Sequence, residues 1–395
     1  MTKKLRIDWF LFVIAASLAL FGVIMVYSAS AMIALKETQG ESQFTYFYKQ
    51  FSFTLAGLAV MYLSSKIDYR WYQKSWVVYG LLALTVVLLF SVFNFPPING
   101  ARRWIRYSGY SFQPSEVAKI ALPVFLAFFL TKNEETIGEL KETVLPCAAV
   151  FAFLCALILV EPDLGTVIIL SIVFTVVYFA AGARILHIGS VIAGCFLIGA
   201  IALISSPYRR GRIFAFLNPW ENADDAAYQV VQGLYAIGSG GIFGEGFAKG
   251  QQKLFYLPYP YSDFIFAVVG EELGLIGTLA VVAAFGLMLW RGARAALLAP
   301  DRFGKLLGMG IITGIIVQAL FNISVVVSIL PAKGIPLPFI SYGGSSVVVT
   351  LFAVGILLNL SQHAGIASFE KAEEKEIPTR RKKRKSLQEV TESYR

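Results

Sequence analysis

Charge and histidine are scarce in this sequence. Only 15% of its 395 residues are charged, and its only two histidines are His187 and His363. So little charge cannot clothe the surface of a soluble domain of this length. With no third histidine there is no room for a histidine-rich metal cluster. Both histidines also fall near the cytoplasmic ends of apolar segments, so a general base on the other face must be a carboxylate. Cysteine is nearly absent too. Cys147, Cys155 and Cys195 all lie within apolar runs and lack ligand spacing, which excludes a disulfide framework and a zinc site. They read as small buried hydrophobes. A nucleotide loop is likewise missing. The stretch GSGGIFGEGFAKGQQK is rich in glycine but fits neither GxxxxGK[ST] nor GxGxxG, and it follows no strand. Its glycines suit tight or re-entrant backbone near a ligand.

Apolar residues fill the gap. They make up 57% of the chain, and the mean hydropathy is +0.67. A bilayer core of about 30 Å needs roughly 20 helical residues to cross it. Ten segments meet that length: 9–29, 46–64, 76–93, 115–131, 144–160, 163–181, 185–204, 264–290, 304–329 and 341–361. The expected fold is an all-α polytopic membrane protein with ten transmembrane helices. Residues 1–8 form a cytoplasmic N-terminus, 9–363 the helical membrane domain, and 364–395 a basic, disordered tail. Segment 205–263 is a large extracytoplasmic loop between helices seven and eight. The majority of the 34 Lys and Arg then fall on the side of the N-terminus, which places both termini in the cytoplasm.

The basic residues of the outer face are few but clustered. Arg102, Arg103 and Arg106 lie between spans three and four, and Arg209, Arg210 and Arg212 open the long loop. Guanidinium groups grip phosphate oxygens in a bidentate fork, so a lipid-linked pyrophosphate would suit these clusters. Ordinary pairing with local acids or headgroups is the competing explanation. Within the loop, AAYQVVQGLYAIGSGG begins with helical periodicity, Val230, Val231, Leu234 and Ile237 sharing one side. It is expected to lie at the membrane interface.

Charged residues inside or beside spans are costly and draw the eye. Asp263 stands where the loop becomes span eight, either as a helix cap or as a functional acid. Glu271 and Glu272 follow on the same span, to line a cavity or to bond between helices. Glu116 and Lys119 are three apart on one helix face and can pair. Glu161 and Asp163 flank Pro162 at an outer hairpin, where capping is the plain alternative.

Six motifs then fall in order: GVIMVYSAS, NGARRWI, FQPSEVAK, EPDLGT, SDFIFAVVGEELG and GIPLPFISYGGSS. Together they resemble the SEDS family (shape, elongation, division and sporulation) of bacterial membrane proteins, over nearly the whole chain. Their form is closer to the cell-division branch than to the elongation branch. The resemblance implies polymerisation of peptidoglycan glycan strands from lipid II. It implies a class B penicillin-binding protein as crosslinking partner, other division proteins alongside, and a place in the cytoplasmic membrane at the division septum. No nucleic acid is expected. Asp263 would be the essential acid, serving as base. Arg102, Arg103, Lys119 and Arg210 would hold the pyrophosphate, with Glu116, Asp163 and Glu271 also at the substrate. A divalent cation, Mg²⁺ or Mn²⁺, is a candidate cofactor, with Glu116 and Asp163 as its candidate ligands. The rival expectations are a lipid II flippase and a non-catalytic scaffold of the division machinery.

Overall fold

The computed structural model describes residues 7–364, apart from 98–99, 108–109, 185, 188, 190–192, 195–203, 205–206 and 224–226. Helices dominate it. α1 (Trp9–Glu37), α2 (Thr45–Lys66), α3 (Ser75–Ser91), α4 (Pro114–Lys132), α5 (Leu145–Val160) and α6 (Leu164–Ala180) make up the first half. α7 (Pro207–Leu217) and α8 (Tyr228–Gly240) belong to the long loop. α9 (Ile265–Leu297), α10 (Arg302–Val326) and α11 (Gly344–Ala364) complete the bundle. Among the described residues, seven helices are long and apolar enough to cross a membrane. The chain is a multi-pass membrane protein. Nine of the ten expected segments coincide with described helices. The seventh, 185–204, lies for the most part outside the described residues, as do Cys195 and the tail beyond residue 364.

Local chemistry sets the helix starts. The Asp8 side chain accepts from Leu11 N–H at 3.1 Å, and Asp301 accepts from Gly304 N–H at 2.8 Å. Pro114 opens α4, where its missing N–H has no intrahelical partner to lose. α4, α10 and α11 form the buried centre. A side chain at Gly310 of α10 would meet Pro123 of α4 at 2.8 Å, and one at Gly308 would meet Ala296 of α9 at 2.7 Å. Small residues let these backbones approach closely, as packing inside a bilayer requires.

One strand pair departs from the all-helical expectation. β1 (Ile105–Tyr107) and β2 (Tyr110–Phe112) form an antiparallel hairpin in which Arg106 stands opposite Ser111. Directly opposed residues share a face, so the hairpin carries both toward one place.

α9 is not one straight span. At Gly274 the backbone turns to φ 64° and ψ −160°, which interrupts the helical ladder. The Gly-rich loop repairs the break. Glu245 and Gly246 N–H donate to the carbonyls of Glu271 and Glu272 at 2.9 and 3.1 Å, and Leu275 N–H donates to Gly241 O at 2.9 Å. A Cβ at Gly244 would lie 2.2 Å from Glu272 O, and one at Gly240 2.0 Å from Gly270 O. These glycines therefore serve backbone-to-backbone approach rather than a ligand. α8 packs its Val230, Gly233 and Ala236 side inward, with Gly233 against Phe264 and Ile237 against Gly270. Its apolar stripe thus faces α9, not a membrane surface.

Candidate active site

A cavity of about 250 Å³ opens at one end of the bundle. α11 starts beside it at Gly344 and ends near Ser361, whose Oγ lies 3.4 Å from Asp8 N at the foot of α1. Seventeen residues of helix rise about 26 Å. The cavity is therefore at the end of the bundle opposite the start of α1, where Asp8 pairs with Arg291 at 2.6 Å.

Asp263 lies in the cavity wall. It is not a cap. The cap position of α9 is Phe264, and no side chain caps it. Burial pushes the Asp263 carboxyl up to about 6, opposed by its own backbone N–H and by the Arg212 guanidinium. Beneath it lies Gly334, where an added Cβ would stand 3.3 Å from Oδ2 and touch nothing else within 4 Å. The side-chain-free floor leaves the carboxylate room.

Three cations face the same space: Arg103, Arg106 and Lys119. Arg103 is tethered to the turn between α5 and α6. Its Nε donates to Glu161 O at 3.0 Å and its Nη2 donates to Pro162 O. Lys119 sits one turn into α4. Its ammonium contacts Glu116 Oε2 at 2.7 Å and donates to Gln318 Oε1 at 2.5 Å. Asp163 caps α6, accepting from Thr166 N–H at 3.2 Å and Thr166 Oγ1 at 2.7 Å; its Oδ2 also accepts from Gln113 Nε2 at 3.1 Å. Beside it, Glu161 is fully buried, and neither carboxylate oxygen has a hydrogen-bond partner. Burial and the Asp163 charge push Glu161 up to about 8 against the pull of Arg103, so it is mostly neutral at pH 7.

The expected site residues divide accordingly. Asp263, Arg103, Lys119, Glu116 and Asp163 come together in one cavity. Arg102, Arg210 and Glu271 do not line it. Arg102 is exposed and donates to Phe93 O at 3.1 Å, being drawn back to the end of α3. Arg210 is exposed on α7, while Arg212, two residues on, donates to Ala332 O at 3.0 Å and acts on Asp263. The choice within RRGR depends on the helical phase of α7, which three arginines within four positions do not reveal. Glu271 instead accepts from Gln251 and Gln252 N–H at 2.6 and 3.0 Å. Glu272 accepts from Ser28 Oγ at 2.6 Å and pairs with Lys253 at 2.5 Å. The two glutamates hold the broken helix to its loop and to α1.

Two further polar residues escaped the sequence reading. Gln318 and Asn322 stand one turn apart on α10, and Gln318 lines the cavity. Isolated amides in the run GIIVQALFNIS were the available signal, because polar side chains within a span are expensive.

Glu116 and Asp163 are poor metal ligands as they stand. Glu116 is paired with Lys119, and Asp163 already receives several protein donors. Among the described residues, no three His, Cys, Asp or Glu side chains converge to hold an ion.

Comparison with known proteins places this geometry. Residues 8–365 match the FtsW/RodA/SpoVE family model, described as cell cycle protein. The chain belongs to the FtsW/RodA/SpoVE family. Within that family it is 42% identical over 361 residues to a probable peptidoglycan glycosyltransferase FtsW of Geobacter metallireducens, covering 90% of this chain and 95% of that one. It is 40% identical to the stage V sporulation protein E of Bacillus subtilis, covering 92% and 99%. Among solved structures, it resembles a chain of a peptidoglycan synthase complex that coordinates polymerization and crosslinking, with a TM-score of 0.71 and 26% identity over 91% of this chain and 98% of that one. It also resembles the rod shape determining protein RodA of Thermus thermophilus, with a TM-score of 0.66 and 26% identity over the same shares. FtsW/RodA/SpoVE membership accounts for the six ordered motifs.

Proposed function

We propose that this chain is a peptidoglycan glycosyltransferase that polymerises lipid II on the outer face of the cytoplasmic membrane. The observation that carries the reading is the cavity itself, where one desolvated carboxylate, Asp263, shares a small space with Arg103, Arg106 and Lys119.

That set suits sugar transfer from a lipid pyrophosphate. The donor is a MurNAc whose C1 bears undecaprenyl pyrophosphate, already a good leaving group. Asp263 takes the proton from the acceptor 4-hydroxyl of GlcNAc. The oxygen attacks C1, a β-1,4 bond forms, and the α bond to pyrophosphate breaks with its electron pair leaving on the phosphate. Arg103, Arg106 and Lys119 neutralise that growing charge, so no general acid is needed. A positioned base contributes about 10²–10⁴-fold. A carboxyl raised to about 6 suits the role, since it is ionised at neutral pH yet more basic than an ordinary Asp. Glu116 keeps Lys119 in place, and Asp163 steadies the turn that Arg103 grips. A divalent cation would have to arrive with the substrate phosphates, because Glu116 and Asp163 are otherwise engaged; no step above passes through it.

The distribution of Lys and Arg supports cytoplasmic termini and an outward-facing cavity. The 42% identity to a protein named FtsW favours a division role at the septum. The likeness to a polymerization and crosslinking complex supports a class B penicillin-binding protein as partner. A flippase would need a polar path through the bundle. Next to the cavity there is a pocket of only about 30 Å³, too narrow for a sugar headgroup, in which Glu116, Lys119, Gln318 and Thr350 face Ile120, Ile311, Ile315 and Val349. Purified protein with its crosslinking partner in detergent, given lipid II, should form glycan polymer where no barrier exists to cross. Asp263→Ala should abolish polymer while the protein stays folded. Normal polymerisation by that variant would refute the assignment of the base.

A further inference from the structure

We propose that Asn322 is a positioning residue for the base and that, with Gln318, it fixes the spacing between the base and the lysine. The inference rests on the catalytic reading above.

Asp263 sits outside regular structure, two residues ahead of a helix whose start has no side-chain cap. Asn322 is what reaches its backbone. The Asn322 amide is 1% exposed and donates twice through Nδ2, to Asp263 O at 2.7 Å and to Ile335 O at 2.7 Å. Ile335 follows Gly334, the residue beneath the Asp263 carboxylate. One amide therefore holds both the backbone of the base and the strip of chain that forms its floor.

Gln318 repeats the arrangement one turn away, about 6 Å along the same face of α10. Its Nε2 donates to Pro336 O at 2.9 Å, the carbonyl next to that of Ile335. Its Oε1 accepts from Lys119. Two amides on one helix thus grip consecutive carbonyls of one segment, and each holds a different part of the cavity. α10 is itself anchored at its far end, where Asp301 caps it. A single rigid element sets how far the proton acceptor stands from the cation. Geometry of this kind matters because a 1 Å misplacement of reacting groups costs about 10²-fold in rate. Only a carboxamide offers two N–H donors from one atom without bringing a charge into the bundle.

The test uses the full chain with its crosslinking partner, lipid II as substrate, and steady-state polymerisation. Asn322→Asp keeps the shape but leaves at most one donor, the O–H of a buried neutral acid, for two carbonyls. Its kcat should fall about 10–100-fold, with KM for lipid II within about twofold. Gln318→Glu keeps the contact with Lys119 but gives up the donation to Pro336 O and sets a second carboxylate beside the lysine that Glu116 already pairs. It should raise KM several-fold and lower kcat several-fold as well. If Asn322→Asp does not accumulate as folded protein, Asn322→Ala replaces it with the same expectation. A folded Asn322 variant with kcat within twofold of wild type overturns the proposal, and so does a loss that falls wholly on KM. Wild-type protein that makes no polymer removes the base from the argument and overturns the catalytic reading and this inference together.

Discussion

Replacing Asp263 by Asn should do two opposite things: stop polymerisation and stabilise the protein at neutral and alkaline pH. Burial raises this carboxyl from 3.8 to about 6. A group that holds its proton more tightly when folded stabilises the fold while protonated. That contribution is fully present below the unfolded value and is lost as pH rises to the folded one. Between about pH 4 and pH 6 the wild type therefore gives up stability, and above pH 6 the deficit is constant. At about 1.36 kcal/mol per pH unit, the gap corresponds to about 3 kcal/mol. The carboxylate opens onto the cavity, whose water screens part of the cost, so the expected gain for Asp263→Asn is about 1–3 kcal/mol at pH 8 and near zero at pH 4. Unfolding followed in detergent at the two pH values reads this directly. The wild-type polymerisation rate should fall about tenfold per pH unit below about pH 6, as the base takes up its proton. A variant no more stable than wild type at pH 8 would refute the desolvation argument. So would a gain of equal size at both pH values, which would point to packing.

Gly334→Ala sets a methyl about 3.3 Å from Asp263 Oδ2 and touches nothing else nearby. It should shift the acid limb of the pH–rate profile upward and lower kcat several-fold, while Gly343→Ala, whose Cβ would meet only Ser346 at 3.6 Å, should change the limb little; pH–rate profiles of the two distinguish them. Lys253→Met leaves Glu272 buried without its cation and should destabilise the protein by about 3–5 kcal/mol. Adding Glu272→Leu should recover part of that, because Ser28 Oγ and Ala248 N–H then lose their acceptor; thermal unfolding of the single and double variants measures it.

The sequence made the bundle legible because the bilayer imposes one strict rule. Backbone polar groups in hydrocarbon must be satisfied internally, so long apolar runs become helices. Cap residues such as Asp163 and Asp301 mark starts in the same local way. The cavity was legible where charge broke a pattern: Asp263 and Lys119 lie at or within a span, and Arg103 belongs to an arginine cluster on the outer side, where basic residues are few. The failures are those of direction. Arg210 and Arg212 differ by two positions on a helix and so by slightly more than a half-turn, which sends one to solvent and the other toward Asp263. Arg106 and Ser111 are brought to the cavity by a strand register of three residues, too short for periodicity to announce. Asn322 acts through its neighbours' carbonyls, and no linear motif records which carbonyls a fold will leave in want of a donor.

Glu271 and Glu272 illustrate why an acid in a span need not be a reactant. A continuous helix would carry both into the bundle with every backbone N–H already engaged and no donor left to meet them. The break at Gly274 and the glycines of the loop change that. Backbone N–H groups of Ala248, Gln251 and Gln252, with Ser28 and Lys253, converge on the two carboxylates. Buried charges that are paired and hydrogen-bonded in this way are tolerated, and removing one partner is what costs. The part of α9 ahead of the break, from Ile265 to Glu272, is buried throughout. It is therefore a stiff arm about 12 Å long, with the acid cluster at one end and Asp263 just beyond the other. The acids that look most catalytic by their cost are the footing of the arm, and the single acid at its tip is free to react because those two are not.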